Sequence, residues 1–234
     1  MSRAPVRGYR SLRVVPSTLR GGACAAGALV IACAAPMRTA ESTTGGGVAA
    51  AVATDTSGSR LVPAGYGALR QEELAIRMQV QDVLIQLVPL DESVIRVLSP
   101  DSYRALRQLA ESRSDEIARL ATMHGVRERQ LWYVTFFGLA PDARFTPTDL
   151  TITSAGREFR PLEIMPLRAG FGEHRLQPRE SQSALYLFDD GLDVGQPLTV
   201  ISGTRRNDSW AETLRTIERE RALIRSRAAQ SRNP

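Results

Sequence analysis

Two histidines and one acidic turn are the candidates for chemistry in this chain. His174 lies in Gly170-Phe171-Gly172-Glu173-His174-Arg175, a glycine-flanked stretch. An imidazole beside a carboxylate is the minimum of a general acid–base pair, and functional residues concentrate on loops carried by a rigid scaffold. One His and one Glu fall short of the three or four ligands of a zinc site. No nucleophile elbow, phosphate loop or paired zinc-ligand motif accompanies them. Asp189-Asp190-Gly191-Leu192-Asp193 sets three carboxylates around a glycine, oxygen ligands of the kind calcium takes. The stretch departs from the EF-hand pattern, and Asp and Gly in succession also favour a turn for local reasons. Glu173, His174, Asp189, Asp190 and Asp193 are therefore the candidate binding residues. No catalytic set, metal set or cofactor motif is assigned. His124 falls in the last turn of an expected helix, where the helix dipole favours a cation.

The charge distribution narrows the partners. All 30 basic residues are arginine, so Schiff-base chemistry on lysine and a lysine-bearing phosphate loop are excluded. Five arginines stand in the first twenty residues, which hold no acid. From Cys33 onward 25 arginines face 25 acidic residues. The net charge of +5 thus belongs to the first residues. The remainder has no cationic excess with which to neutralise phosphates, and no nucleic-acid partner is expected.

After the basic start, residues 21–32 read GGACAAGALVIA, followed by Cys33, Ala34 and Ala35. A basic region, an apolar run and small residues at its end have the layout of a secretory signal. The two cysteines are Cys24, inside the run, and Cys33, at its end. Cleavage there leaves no disulfide and no thiolate metal site. The junction Val30-Ile31-Ala32-Cys33 resembles the lipobox of bacterial lipoproteins, with an aliphatic residue at −3, a small one at −1 and cysteine at +1. Ile31 at −2 departs from the small residue usual in that family. The resemblance covers the leader alone. It implies cleavage before Cys33, a diacylglycerol on its thiol, and outer-membrane sorting in an organism that has one, since Ala34 is not Asp. More than one acyl chain gives stable anchoring where a single chain is marginal.

Residues 33–68 are rich in Gly, Ala, Ser and Thr and lack periodic apolar positions, the composition of a flexible tether. About 35 such residues span roughly 30–35 Å on average as a coil. A single folded domain is expected over residues 69–230, with a tail at 231–234. Residues 76–88 read as one strand by their apolar pattern. Asp91 reads as a helix N-cap, with Leu90 and Ile95 placed for a hydrophobic staple. Ser99-Pro100 opens a helix over 100–124, its apolar face interrupted at Arg113 and its end marked by Gly125. The aromatic run 131–137 reads as a central strand covered on both faces. Strands follow at 149–153, 158–167, 183–188 and 197–202. The second is broken at Pro161 and Pro166, which favour an edge. A C-terminal helix spans 209–228, with Ser209 and Glu212 at capping-box spacing and arginines read as a solvated or lipid-facing surface.

This pattern predicts an α+β fold. Its core would be an immunoglobulin-like β-sandwich or partly open barrel, with one helix before the main strands and one after them. The expected function is a non-catalytic binding or structural module, exported to the cell envelope and held on a membrane by lipidated Cys33. Its partner would be an envelope protein or cell-wall polymer. The alternative is a secreted or anchored hydrolase using His174 with nearby carboxylates.

Overall fold

The computed structural model describes residues 61–231. In chain order the elements are α1 (Gln71–Leu74), β1 (Ile76–Val80), β2 (Val83–Pro89), α2 (Glu92–Ile95), α3 (Pro100–Glu111), α4 (Ser114–His124), β3 (Gln130–Gly138), β4 (Ala143–Arg144), β5 (Leu150–Ser154), β6 (Arg157–Phe159), β7 (Glu163–Pro166), β8 (Arg175–Leu176), β9 (Ser181–Phe188), β10 (Leu198–Ser202), β11 (Arg205–Asn207) and α5 (Trp210–Gln230). The strands form a five-stranded sheet of order β1-β2-β3-β9-β7, a four-stranded sheet β11-β10-β5-β6, and a short ladder β4-β8. Every pairing between these strands is antiparallel. The architecture is mixed α and β, antiparallel sheets with helices set around them, ending in the long helix α5.

Strand β3 explains the layering. Its even residues Trp132, Val134 and Phe136 join Ala184, Tyr186 and Phe188 of β9 on one face. There they share a core with Leu150, Ile152, Phe159, Leu198 and Val200 of the second sheet. Its odd residues Leu131 and Tyr133 face the other way. With Leu185, Leu187 and Met165 they receive Ile117, Leu120 and Ala121 of α4. A strand buried on both faces has to be apolar throughout, and the aromatic run supplies this. The two larger sheets also meet edge to edge. Asn207 Nδ2 donates to the Arg77 carbonyl at 2.7 Å and Arg205 Nε to the Gln79 carbonyl at 3.1 Å, so side chains of β11 satisfy the free edge of β1.

Several expectations are corrected. The apolar stretch 76–88 is a hairpin, because Gln81 turns at φ 51° and Val80 pairs with Val83. The expected helix 100–124 is two helices. Ser112 ends α3, and Arg113 leaves helical geometry (φ −118°, ψ 13°) and pairs with Glu116 at 2.9 Å. Gly125 closes α4 at φ 69°, a left-handed cap that glycine takes without strain. Ser99 and Ser209 precede α3 and α5 without side-chain caps; Asn207 Oδ1 instead accepts from Ser209 N at 2.8 Å. Asp91 does cap α2, accepting from Ser93 N at 2.7 Å. The stretch 158–167 divides into β6 and β7, and β7, ending at Pro166, is the sheet edge. Strands β4, β8 and β11 carry no sequence pattern that marked them.

The largest correction concerns the N-terminal boundary. Residues 62–68, read as tether, are part of the fold. Val62 is buried, and its carbonyl accepts from Arg96 at 3.3 Å. The Tyr66 carbonyl accepts from Arg227 at 2.8 Å, and Ala68 N donates to Glu220 Oε1 at 2.9 Å. A Cβ on Gly67 would lie 2.3 Å from the carbonyl oxygens of both Val97 and Leu98, so only glycine fits there. Arg221, one of the α5 arginines read as a solvated or lipid-facing surface, is buried, and so is Glu220 beside it. Arg221 pairs with Glu218 and donates to the Ser93 carbonyl at 2.7 Å.

Tyr186 makes this core sensitive to alkali. Its phenol is buried, donates to the Pro147 carbonyl at 2.9 Å, and is pushed well above the usual tyrosine range by loss of hydration. The unfolded chain ionises the phenol above pH ~10 and the folded chain does not. The stability it confers is therefore fully present below pH ~10 and declines as the pH rises beyond it. Tyr186→Phe should lose about 1 kcal/mol at neutral pH with the hydrogen bond, yet lose less further stability from pH 10 upward. Urea melts across that range check this; an alkaline slope equal to the wild type's would contradict it.

Candidate functional site

The segments that follow and join the strands at one end of the sheets enclose a cleft of about 350 Å³, within the ordinary size of a small-molecule site. Val83, Ile85 and Phe145 form its apolar wall, and Arg144, Asp149 and Arg205 supply its charge. Three features fix these positions. Phe145 stacks on Phe136 of β3, with ring centroids 4.4 Å apart, and Phe171 meets both rings edge-on. This aromatic knot holds residues 143–149 against the sheet, while Tyr186 holds the Pro147 carbonyl from below. The β10–β11 turn closes tightly, with Ser202 opposite Arg205 and Gly203 at φ 55°. Arg205 is steadied by its Nε bond to Gln79.

None of the five residues singled out in the sequence lines this cleft. Glu173 and His174 are exposed, at the end of a 3-10 turn, Ala169–Glu173. The His174 ring lies 5.6 Å from Phe145 and 6.3 Å from Phe171, on the outside of the aromatic knot. The acidic turn sits at the other end of the β3–β9 pair, because Ser181 of β9 pairs near Gly138 while Phe188 pairs with Gln130. An eight-residue strand, about 25 Å long, thus separates the two candidate groups.

In the acidic turn the carboxylates are engaged by backbone. Asp190 accepts from Arg127 N at 3.0 Å and Glu128 N at 2.9 Å, tying the β9–β10 connection to the start of β3. Asp189 accepts from Asp190 N at 2.8 Å, and Asp193 from Gly195 N at 2.7 Å. Among the described residues no group of three or more His, Cys, Asp or Glu side chains is arranged to hold a metal ion. His124 stands in the last turn of α4 as the sequence suggests, and its Nε2 lies 3.0 Å from Glu163 Oε1, fastening α4 to the edge strand β7.

Sequence reasoning missed Arg144, Asp149 and Arg205. No spacing marks them, since they come from three separate chain segments whose proximity is created by pairing. The like-charged neighbours Arg205-Arg206 after Gly203-Thr204 were the nearest thing to a local signal.

No protein-family model matches the chain, and no solved structure matches it. The tryptophan synthase alpha chains of Xylella fastidiosa strains M12 and Temecula1 are each 31% identical to it over 162 residues, covering 64% of this chain and 57% of theirs. That of strain 9a5c is 30% identical over the same length. The chain therefore spans little more than half the length of the curated relatives it matches.

The acidic turn gives a direct test. Asp190→Ala removes a carboxylate that holds two backbone N–H groups and should cost about 2–3 kcal/mol of stability, read by urea denaturation. Calcium should leave the wild-type melting temperature unchanged. A calcium-dependent rise that Asp190→Ala abolishes would restore the ion-binding reading.

Proposed function

We propose that the protein is an exported cell-envelope lipoprotein, anchored through acylated Cys33, and that its folded part is a non-catalytic binding or structural module. The observation that carries this reading is the junction Val30-Ile31-Ala32-Cys33 at the end of an apolar run, with the basic excess of the chain lying wholly before it. These residues lie outside the described ones. The charge balance after Cys33 supports a polymer or protein partner in the envelope over nucleic acid. Among the described residues no helix is long and apolar enough to cross a membrane. Ala34 after the cysteine supports outer-membrane sorting where that membrane exists.

For the core we infer a partly open barrel in preference to a closed-off immunoglobulin-like sandwich. The two sheets face each other over a common core, which either form requires. The support for the barrel is the β1–β11 seam, where two side-chain-to-backbone bonds continue one sheet into the other. The hydrolase alternative gains no support from the cleft, whose lining includes neither Glu173 nor His174. The likeness to tryptophan synthase alpha chains covers too little of those chains to support a synthase reading.

The intact mass of the N-terminal peptide after detergent extraction tests the anchor. A diacylglyceryl group on Cys33, and release of Cys33→Ser into the soluble fraction, are expected. An intact Met1, or an unlipidated start at Ala35, would overturn the reading.

A further inference from the structure

We propose that the cleft between the β1–β2 turn, Arg144 and the β10–β11 turn binds a monoanionic carboxylate with a compact apolar body. This deepens the binding role proposed above by naming a ligand class, and it does not depend on the lipid anchor.

The charge of the cleft is unusual in its arrangement. Arg144 and Arg175 are direct cross-strand partners in the β4–β8 ladder. Like charges placed opposite one another on a sheet are destabilising unless each is compensated. Arg175 is compensated, by Asp142 at 2.7 Å. Arg144 makes no ion pair with a described residue, and it lines the cleft. Arg205 reaches the same cleft from the facing turn with its Nε already committed to Gln79, so its terminal nitrogens remain for a ligand. Two arginines lining one concavity are a ready recognition device for a carboxylate, whose two oxygens accept charge-assisted bonds from planar donors.

Asp149 lines the cleft too and sets the limit on ligand charge. With two cations and one carboxylate the cleft carries a net charge of +1. That balance suits a monoanion and disfavours a dianion such as a phosphate monoester, whose second charge would face Asp149. The wall of Val83, Ile85 and Phe145 offers apolar surface beside the charged groups, and Phe145 cannot swing aside because Phe136 and Phe171 hold it. Ser202 and Thr204 are also among the lining residues. A ligand made of a carboxylate on a compact hydrocarbon body matches all of these at once.

The test is titration calorimetry of the detergent-solubilised full chain with three probes of one shape: cyclohexanecarboxylate, neutral cyclohexanecarboxamide and cyclohexyl phosphate. Saturable binding of the carboxylate is expected, with the carboxamide and the phosphate each weaker by about tenfold or more, the loss that accompanies one charge-assisted hydrogen bond. Arg144→Gln and Arg205→Gln should each weaken the carboxylate by a similar factor. Asp149→Asn should narrow the gap between carboxylate and phosphate. Without ligand Arg144→Gln should melt no lower than the wild type, since it gives up no ion pair and relieves the repulsion with Arg175. No saturable binding of the carboxylate, equal binding of the carboxamide, or wild-type affinity in Arg144→Gln would overturn the proposal. A lipidated Cys33 together with any of those results would leave the anchor standing and the ligand assignment refuted.

Discussion

The Glu220 carboxylate holds the two ends of the described chain together. It is buried on α5, where an unpartnered charge would be costly. Its Oε1 accepts from the Ala68 backbone N–H at 2.9 Å and from Arg227 at 2.7 Å, and Arg227 passes a second bond to the Tyr66 carbonyl at 2.8 Å. One carboxylate and one guanidinium two turns apart on the last helix thus grip a backbone donor and a backbone acceptor of the first segment. The rest of that segment follows from the grip. Gly67 is pressed onto the carbonyls of Val97 and Leu98, and Leu69 pairs with Leu98. Arg221, one residue on, satisfies the Ser93 carbonyl of α2. Arg227 is half-exposed, so the larger loss on removing the Glu220 carboxylate is the Ala68 N–H left without its acceptor, about 1–3 kcal/mol.

This clamp lies at one place and the cleft at another, and the β3–β9 pair connects them. Trp210, the first residue of α5, lies 6.2 Å from Trp132 of β3 and donates to the Val194 carbonyl at 2.8 Å. From Trp132 the same face of β3 runs through Val134 to Phe136, which carries the aromatic knot beneath Arg144. A rigid strand buried on both faces is the element best able to hold charged groups on loops at its end in fixed positions.

What could be read from the sequence was local. The aromatic run of β3, the Asp91 cap, the left-handed cap at Gly125 and the edge character of the Pro166 strand each rest on a few adjacent residues, and each is found in the fold. The misreadings share a cause. The 76–88 hairpin turns at Gln81-Asp82, without the Asn-Gly or Gly pair that usually announces such a turn. The 100–124 helix breaks at Ser112-Arg113, where helix propensity is adequate and geometry alone decides. Residues 62–68 look like tether because they satisfy their backbone with side chains distant in the chain, Val62 with Arg96 and Ala68 with Glu220. The cleft was hidden for the same reason: Arg144, Asp149 and Arg205 become neighbours through strand pairing, and their residue types are ordinary on any surface. The candidate residues that were legible, Glu173, His174 and the three aspartates, stand at opposite ends of β9, and the aspartates serve the backbone.

Glu220 fastens the leading segment to the last helix. Amide hydrogen exchange at Ala68 tests it most directly. In the wild type that N–H should exchange slowly, at a rate comparable to amides inside β1, and in Glu220→Ala it should exchange far faster while the amides of β3 stay protected. Rapid exchange at Ala68 in the wild type, or an unchanged rate in Glu220→Ala, would contradict the clamp and return residues 62–68 to the tether.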